Sequence, residues 1–295
     1  MGIDANGARF LVHARSIGVD FSRTAMIGRQ SLYLASAQLR AICASYGDQL
    51  GEAEAAEICE GGGGFSEALL RHLGAAEASS FDYSDYEKPT YTHDMNKPIG
   101  EQFKARFNVV LDGGSLEHIF DFPTAIRNCM EMVELGGHYL AITPANNFVG
   151  HGFYQFSPEL YFTVLSPENG FEMVSMIAIE ERENPVWYQV ANPREVGGRV
   201  TLANKHPVHL LIVAKREKLV PIFAQTPQQS DYTVIWGERE AQRAAAEPAL
   251  LRPLPTRLAK LLLPFRLRQG LRGLAKHLPR RKPPAFDPHF FRPMP

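Results

Sequence analysis

Two periods of hydrophobic and polar positions alternate along the middle of this chain. Between residues 31 and 46, Leu32, Ala35, Leu39, Ile42, Cys43 and Tyr46 recur on one helical face. Phe122, Ala125, Ile126, Cys129, Met130 and Val133 do the same, and Gly136-Gly137 stands where that helix should stop. Residues 65–73 predict another helix, and Ser157-Pro158-Glu159 opens one more, with a capping serine ahead of proline at the first helical position. Short runs rich in β-branched and aromatic residues lie between these segments and predict strands at about 55–59, 78–82, 91–93, 107–112, 139–143, 172–179 and 208–215. Such alternation implies an α/β domain whose mostly parallel sheet of about seven strands is covered on both faces.

The flanks read differently. Residues 1–30 show no strong periodicity, and residues 18–24 look like a loop or short turn. We therefore assign residues 1–50 to an N-terminal cap in which the 31–46 helix covers the sheet, and residues 51–220 to the main domain. Residues 221–295 form a C-terminal extension: polar and turn-rich to about 237, a short helix at 238–247, then leucines interleaved with Arg and Lys from 256 to 278, broken by Pro264 and Gly270. The proline- and arginine-rich end is expected to be partly disordered.

Charge sharpens that division. The net charge is −1 over 295 residues, yet residues 251–295 hold eleven Lys or Arg against the single acid Asp287, leaving −11 for the rest. A basic, leucine-bearing tail suits peripheral contact with anionic lipid, whereas the acidic body opposes nucleic-acid binding. No apolar run approaches the ~20 residues of a membrane span, and Met1-Gly2-Ile3-Asp4-Ala5 does not resemble a secretory leader. Cys43, Cys59 and Cys129 stand far apart without a Cys-x-x-Cys pair, so reduced, buried thiols and a cytoplasmic protein are expected.

Candidate chemistry begins at Glu57-Ile58-Cys59-Glu60, followed by four glycines, Gly61 to Gly64, and the helix from Phe65. A strand ending in a loop without side chains, with free N–H groups at the next helix, suits an anionic ligand. Asp82, about twenty residues on, is where an open α/β sheet places an acid for ribose hydroxyls. His93-Asp94-Met95-Asn96 follows the third expected strand, offering a carboxylate for an exocyclic amine and a thioether for a purine face. The fourth ends Asp112-Gly113-Gly114-Ser115-Leu116-Glu117-His118, a small-residue turn beside the same crevice.

Taken together, residues 57 to 215 resemble the class I S-adenosylmethionine-dependent methyltransferases: an acid and a glycine motif (Glu57, Gly61, Gly63), an acid ending the second strand (Asp82), and a Leu-Glu-His element (Leu116-Glu117-His118). The first glycine of the family motif is Cys59 here, with Glu60 after it. The 112–118 and 150–158 segments also resemble a bacterial subgroup associated with surface-polysaccharide biosynthesis. The resemblance implies a Rossmann-like doubly wound sheet whose last strand, 208–215, runs antiparallel. It implies S-adenosylmethionine as cofactor, with Asp82 on the ribose, Tyr83, Asp94 and Met95 at the adenine, and Glu57 with the backbone of Asp112 and Gly113 orienting the methionyl end. The acceptor would be a small-molecule or sugar hydroxyl. His118 and His151 are the candidate general bases, with Tyr154 and Gln155 as acceptor contacts. No histidine pair has metal-ligand spacing, so no metal is expected. Two rivals remain. An NAD(P)-dependent sugar oxidoreductase or epimerase would use Gly61, Gly63 and Ser66, but lacks a Tyr-x-x-x-Lys pair. A methyltransferase-like binding protein without activity is suggested by Cys59-Glu60. Oligomeric state is not legible.

Overall fold

The computed structural model describes residues 2–232 and 285–294. Among them, nine strands form one sheet and two short ones, β1 (Gly2–Ile3) and β3 (Ser31–Leu32), pair parallel beside it. The large sheet contains β2 (Arg23–Ile27), β4 (Glu77–Asp82), β5 (Tyr91–Thr92), β6 (Phe107–Asp112), β7 (Val133–Asn146), β8 (Phe171–Glu180), β9 (Tyr188–Val190), β10 (Val208–Arg216) and β11 (Phe291–Pro293), in the order β11-β9-β8-β10-β7-β6-β2-β4-β5. From β5 across to β7 every neighbouring pair is parallel. β10 is antiparallel to both β7 and β8, as expected for the 208–215 strand.

The main correction concerns the centre of the sheet. Residues 55–59, expected as its first strand, are helical: α3 (Glu52–Ala56) runs into a π-turn over Glu57–Gly61. The central strand of the parallel part, β5-β4-β2-β6-β7, is β2, which lies within the stretch assigned to a cap and begins in the segment read as a loop. Arg23-Thr24-Ala25-Met26-Ile27 is short, and all of it after Arg23 is buried. A central parallel strand needs only such a compact apolar run, because helices cover both of its faces.

Side chains alternate across the sheet accordingly. Ala25, Ile27, Val110, Tyr139, Leu210 and Ile212 pack on one face, together with α5 (Phe122–Met132) and α6 (Pro158–Val164). Met26, Val109, Leu111, Leu140, Leu211 and Val213 pack on the other, under α1 (Ala5–Ser16), α2 (Ser36–Ser45) and α4 (Glu67–His72). The Asp4 side chain caps α1 by accepting from Gly7 N at 2.8 Å, and Phe10, Leu11 and Val12 are buried beneath it. That helix was also missed in the sequence, since its polar residues interrupt the apolar ones.

The Gly136-Gly137 pair does not end α5; the helix passes directly into β7 at Val133. Gly137 lies where an added Cβ would stand 2.8 Å from Asn108 O, so the pair lets β7 approach β6 closely. At the far edge β11 pairs antiparallel with β9, and Phe286 stacks on Tyr188 at 4.1 Å between ring centroids. The 238–247 helix and the leucine-arginine stretch fall outside the described residues. No helix among those described is long and apolar enough to cross a membrane.

Candidate functional site

Because β2 connects to β4 on one side while β6 lies on its other side, the sheet changes winding direction at β2. Ligands of open α/β sheets bind at this point, beyond the carboxyl ends of the strands. A cavity of about 210 Å³ opens there. Ile27 and Gly28 line it from the end of β2, Asp82 and Tyr83 from β4, and His93, Asp94, Met95 and Asn96 from the segment after β5. Ser115, His118 and Ile119 close it from the turn after β6.

Local bonding shows how the sequence builds this rim. Gly28 takes φ +73°, which a side chain would strain, and its N–H donates to Phe81 O at 2.7 Å, joining the β2 turn to β4. Arg29 then anchors the turn outward: its Nε pairs with Glu67 Oε1 at 2.7 Å, Nη1 donates to Glu87 O at 2.8 Å, and its guanidinium lies 3.9 Å over the Phe65 ring. Gln30 turns inward and is fully buried. Its Nε2 donates to Ile27 O at 2.7 Å and to Ser115 Oγ at 3.2 Å, while Ser115 Oγ also donates to Ile27 O. A Cβ on Gly113 would sit 2.7 Å from Gln30, so glycine there lets the β2 and β6 turns interlock.

The adenine-side residues are similarly fixed. Asn128 of α5 donates to Met95 O at 3.2 Å and Lys97 O at 2.8 Å and accepts from Ile99 N at 2.9 Å. Asp94 accepts from Asn96 N at 3.0 Å and Asn96 Nδ2 at 2.8 Å; these bonds hold its carboxyl below the usual carboxylate range. Asp82 is half-buried, and among the described residues its carboxylate accepts one hydrogen bond, a long one of 3.4 Å from Arg29 N. Its remaining acceptor capacity is therefore open to the cavity.

Asp82, Tyr83, Asp94 and Met95 are thus brought together, whereas Glu57, Gly61 and Gly63 are not among the residues lining this cavity. The Glu57 carboxylate folds back on its own turn, within 2.6 Å of where a Gly61 Cβ would be. The glycine run instead reverses the chain ahead of α4, with Gly64 O accepting from Leu32 N at 2.8 Å. Glu60 is exposed on this turn and is not among the residues lining the cavity. Asp112, fully buried, accepts from Ser115 N at 2.8 Å, Leu116 N at 3.3 Å and Tyr139 Oη at 3.4 Å, which makes it a brace for the β6 turn. Burial raises its pKa, and those bonds offset part of the rise.

A second cavity of about 410 Å³ adjoins the first, with His118 lining both. Gly7 of α1, Gly114, Glu117, Ile142, His151 and His209 are among its walls. Burial, with His151 beside it, lowers the His118 pKa below the usual imidazole range. Glu117 is pushed the other way, by burial first and then by the Asp112 charge. Tyr154 is absent from the walls: its hydroxyl donates to Phe120 O at 2.7 Å, and its ring stacks on Phe156 at 5.9 Å. Gln155 is likewise used within its loop, accepting from Phe148 N at 2.6 Å. The sequence reading missed Gly28, Arg29 and Gln30, whose signal was the apolar triplet Ala25-Met26-Ile27 ending at a glycine; it placed Glu117 in the Leu-Glu-His element without a role of its own, and it gave His209 no part in the site.

No family model matches the chain, and no curated protein matches it. Among solved structures, it is similar to an S-adenosylmethionine dependent methyltransferase from Mesorhizobium loti, at 14% identity and a TM-score of 0.41, over 72% of this chain and 100% of that one. It is also similar to the N-methyltransferase NodS from Bradyrhizobium japonicum, at 10% identity and a TM-score of 0.38, over 72% of this chain and 96% of that one. Overlaps of this depth carry no functional argument, which rests on the strand order and the crevice residues.

Proposed function

We propose that this chain is a methyltransferase using S-adenosylmethionine, and that the acceptor is a small-molecule or sugar hydroxyl. One observation carries the reading: at the point where the sheet changes winding direction, the turn at Gly28, an acid ending the next strand and the Asp94-Met95 pair converge on one cavity. Asp82 would accept from the ribose hydroxyls, and Met95 and Tyr83 would flank the adenine. Gly28 lets the backbone approach the ligand, in the role first expected of Gly61 and Gly63. The cofactor supplies an electrophilic methyl group on a sulfonium. The protein's part is to align an acceptor oxygen with it and exclude water. The neighbouring cavity is where that oxygen would lie, and the group placed to handle its proton is Glu117-His118-His151. Association with surface-polysaccharide biosynthesis, and lipid contact through the basic tail, remain proposals from the sequence.

The two rivals lose their particular support. The glycines that would have carried a dinucleotide site, and the Cys59-Glu60 pair that suggested an inactive scaffold, lie on the turn before α4 and outside the crevice. Titration calorimetry tests the reading. S-adenosylhomocysteine should bind one to one and NAD should not, and Asp82→Ala should weaken the first ligand by roughly tenfold or more, equivalent to about 1.4 kcal/mol. NAD binding, or no binding of either ligand, would overturn it.

A further inference from the structure

A buried carboxyl group stands at the wall of the second cavity with one oxygen unpartnered and two imidazoles beside the other. Glu117 is carried inward on the single 3-10 turn Leu116–His118 and is 1% exposed. Its Oε2 has no hydrogen-bond partner, and among the described residues its ion-pair contacts are two imidazoles: His151 Nε2 at 3.5 Å and His118 Nε2 at 3.9 Å from Oε1. An ionised carboxylate in such a place costs several kcal/mol unless a positive charge completes it.

The backbone is shaped around this trio. Gly114 takes φ +90°, and a Cβ there would come within 3.2 Å of Glu117 Oε1. Gly152 takes φ +149°, and a Cβ there would stand 2.9 Å from Glu117 O and 3.2 Å from His118 Nδ1. The loop carrying His151 is tied down on both sides: Phe153 N donates to Glu117 O at 2.8 Å, and Asn147 Nδ2 donates to Asn204 Oδ1 at 3.0 Å and His206 O at 2.9 Å. His118 and His151 stand 33 positions apart in the chain, so the grouping is invisible to ligand-spacing rules in sequence.

We propose that Glu117, His118 and His151 bind a divalent first-row transition-metal ion of the zinc type, with open coordination positions facing the 410 Å³ cavity. Ligands bound to one such ion at about 2.0–2.2 Å stand roughly 3–3.5 Å apart, so the observed 3.5 and 3.9 Å close onto an ion with small rotations of two half-exposed imidazoles. Two imidazoles and one carboxylate favour zinc, iron, cobalt or manganese over magnesium or calcium, which prefer all-oxygen sites. A second gathering of ligand types, Cys43, Asp48 and His72, does not compare. His72 already spends both ring nitrogens on Asp48 at 2.9 Å and Glu54 at 3.3 Å. An ion in the Glu117 site would make the two histidines ligands and acidify an acceptor hydroxyl by coordination.

This inference does not depend on the cofactor assignment, and it is tested without cofactor. The full chain is stripped with a chelator and titrated with Zn²⁺ by calorimetry and with Co²⁺ by visible absorption. One equivalent should bind with a d–d spectrum of nitrogen and oxygen ligation, and His118→Ala and His151→Ala should each weaken Zn²⁺ by roughly tenfold or more. Both histidines are half-exposed, so these variants should melt within a few degrees of the wild type, and Glu117→Gln serves as a third arm where it folds. No uptake by the wild type, or uptake that His118→Ala/His151→Ala leaves unchanged, would overturn the site.

Discussion

Two of the glycine turns between β2 and β4 do opposite work. The first has a single glycine, Gly28, set at the end of β2 where the sheet changes winding direction; it lines the crevice. The second has four in a row, Gly61 to Gly64, yet it leaves a π-turn instead of a strand and only reverses the chain before α4. What brings a glycine turn to the crevice is therefore the strand that feeds it. A strand aims its last peptide groups beyond the sheet edge, among the ends of its neighbours. A helical turn aims them along its own axis.

The comparison breaks most visibly at Gly28. Gly28→Val forces a β-branched residue into a left-handed conformation at a cost of about 1–3 kcal/mol, in a buried turn bonded to Phe81. The melting temperature should fall, and S-adenosylhomocysteine affinity should fall by more than ~100-fold, equivalent to about 2.7 kcal/mol. A variant that still bound the ligand normally would place the site elsewhere. Asp82→Ala comes next. Under the proposed binding mode it removes hydrogen bonds to a charged acceptor worth about 1.5–3 kcal/mol each, and calorimetry should show at least a ~10-fold loss with stability nearly unchanged.

Asp112 sharpens the comparison by pH. Its pKa is raised in the fold by burial, so as pH climbs above about 4 the unfolded chain releases this proton before the folded chain does. The carboxyl therefore contributes most to stability in acid and progressively less toward neutrality. Asp112→Asn keeps an oxygen for Ser115 N and Leu116 N. The difference in urea midpoint, variant minus wild type, should become more positive between pH 4 and 7, and a flat difference would refute the assigned shift.

These effects show where the sequence spoke and where it did not. β6 was found over the same residues, 107–112, because Val109-Val110-Leu111 is an unbroken apolar run ending at an acid and two glycines. Asp82 was found for the same reason, a strand stopping at a carboxylate, and its position did not depend on which glycine turn preceded it. β2 was lost because its buried part is four residues long, Thr24 to Ile27, and follows Asp20-Phe21-Ser22-Arg23, where three of four residues are polar. The later glycine run offered a stronger local pattern, and no local rule weighs a pattern against sheet order. The Glu117-His118-His151 cluster is a tertiary fact for the same reason: α5 and the whole of β7 separate its members.

Smaller effects belong to the second turn. Gly63 has φ +68° and open space around it, so Gly63→Ala meets no neighbour and bears only the left-handed conformation, about 1–2 kcal/mol. Stability should drop by that much while cofactor affinity holds. The least effect of all is expected at Glu57. It is exposed, makes no ion pair among the described residues, and folds against Gly61 away from the crevice. Exposed substitutions free of such features stay within about 0.5 kcal/mol, so Glu57→Ala should leave both the melting temperature and S-adenosylhomocysteine binding at wild-type values. This near-zero result decides between the two turns as firmly as the large one at Gly28, because a methyltransferase whose glycine run cradled the methionyl end would need that carboxylate. A tenfold weakening in Glu57→Ala, with Gly28→Val folded and still binding, would exchange the roles of the two turns.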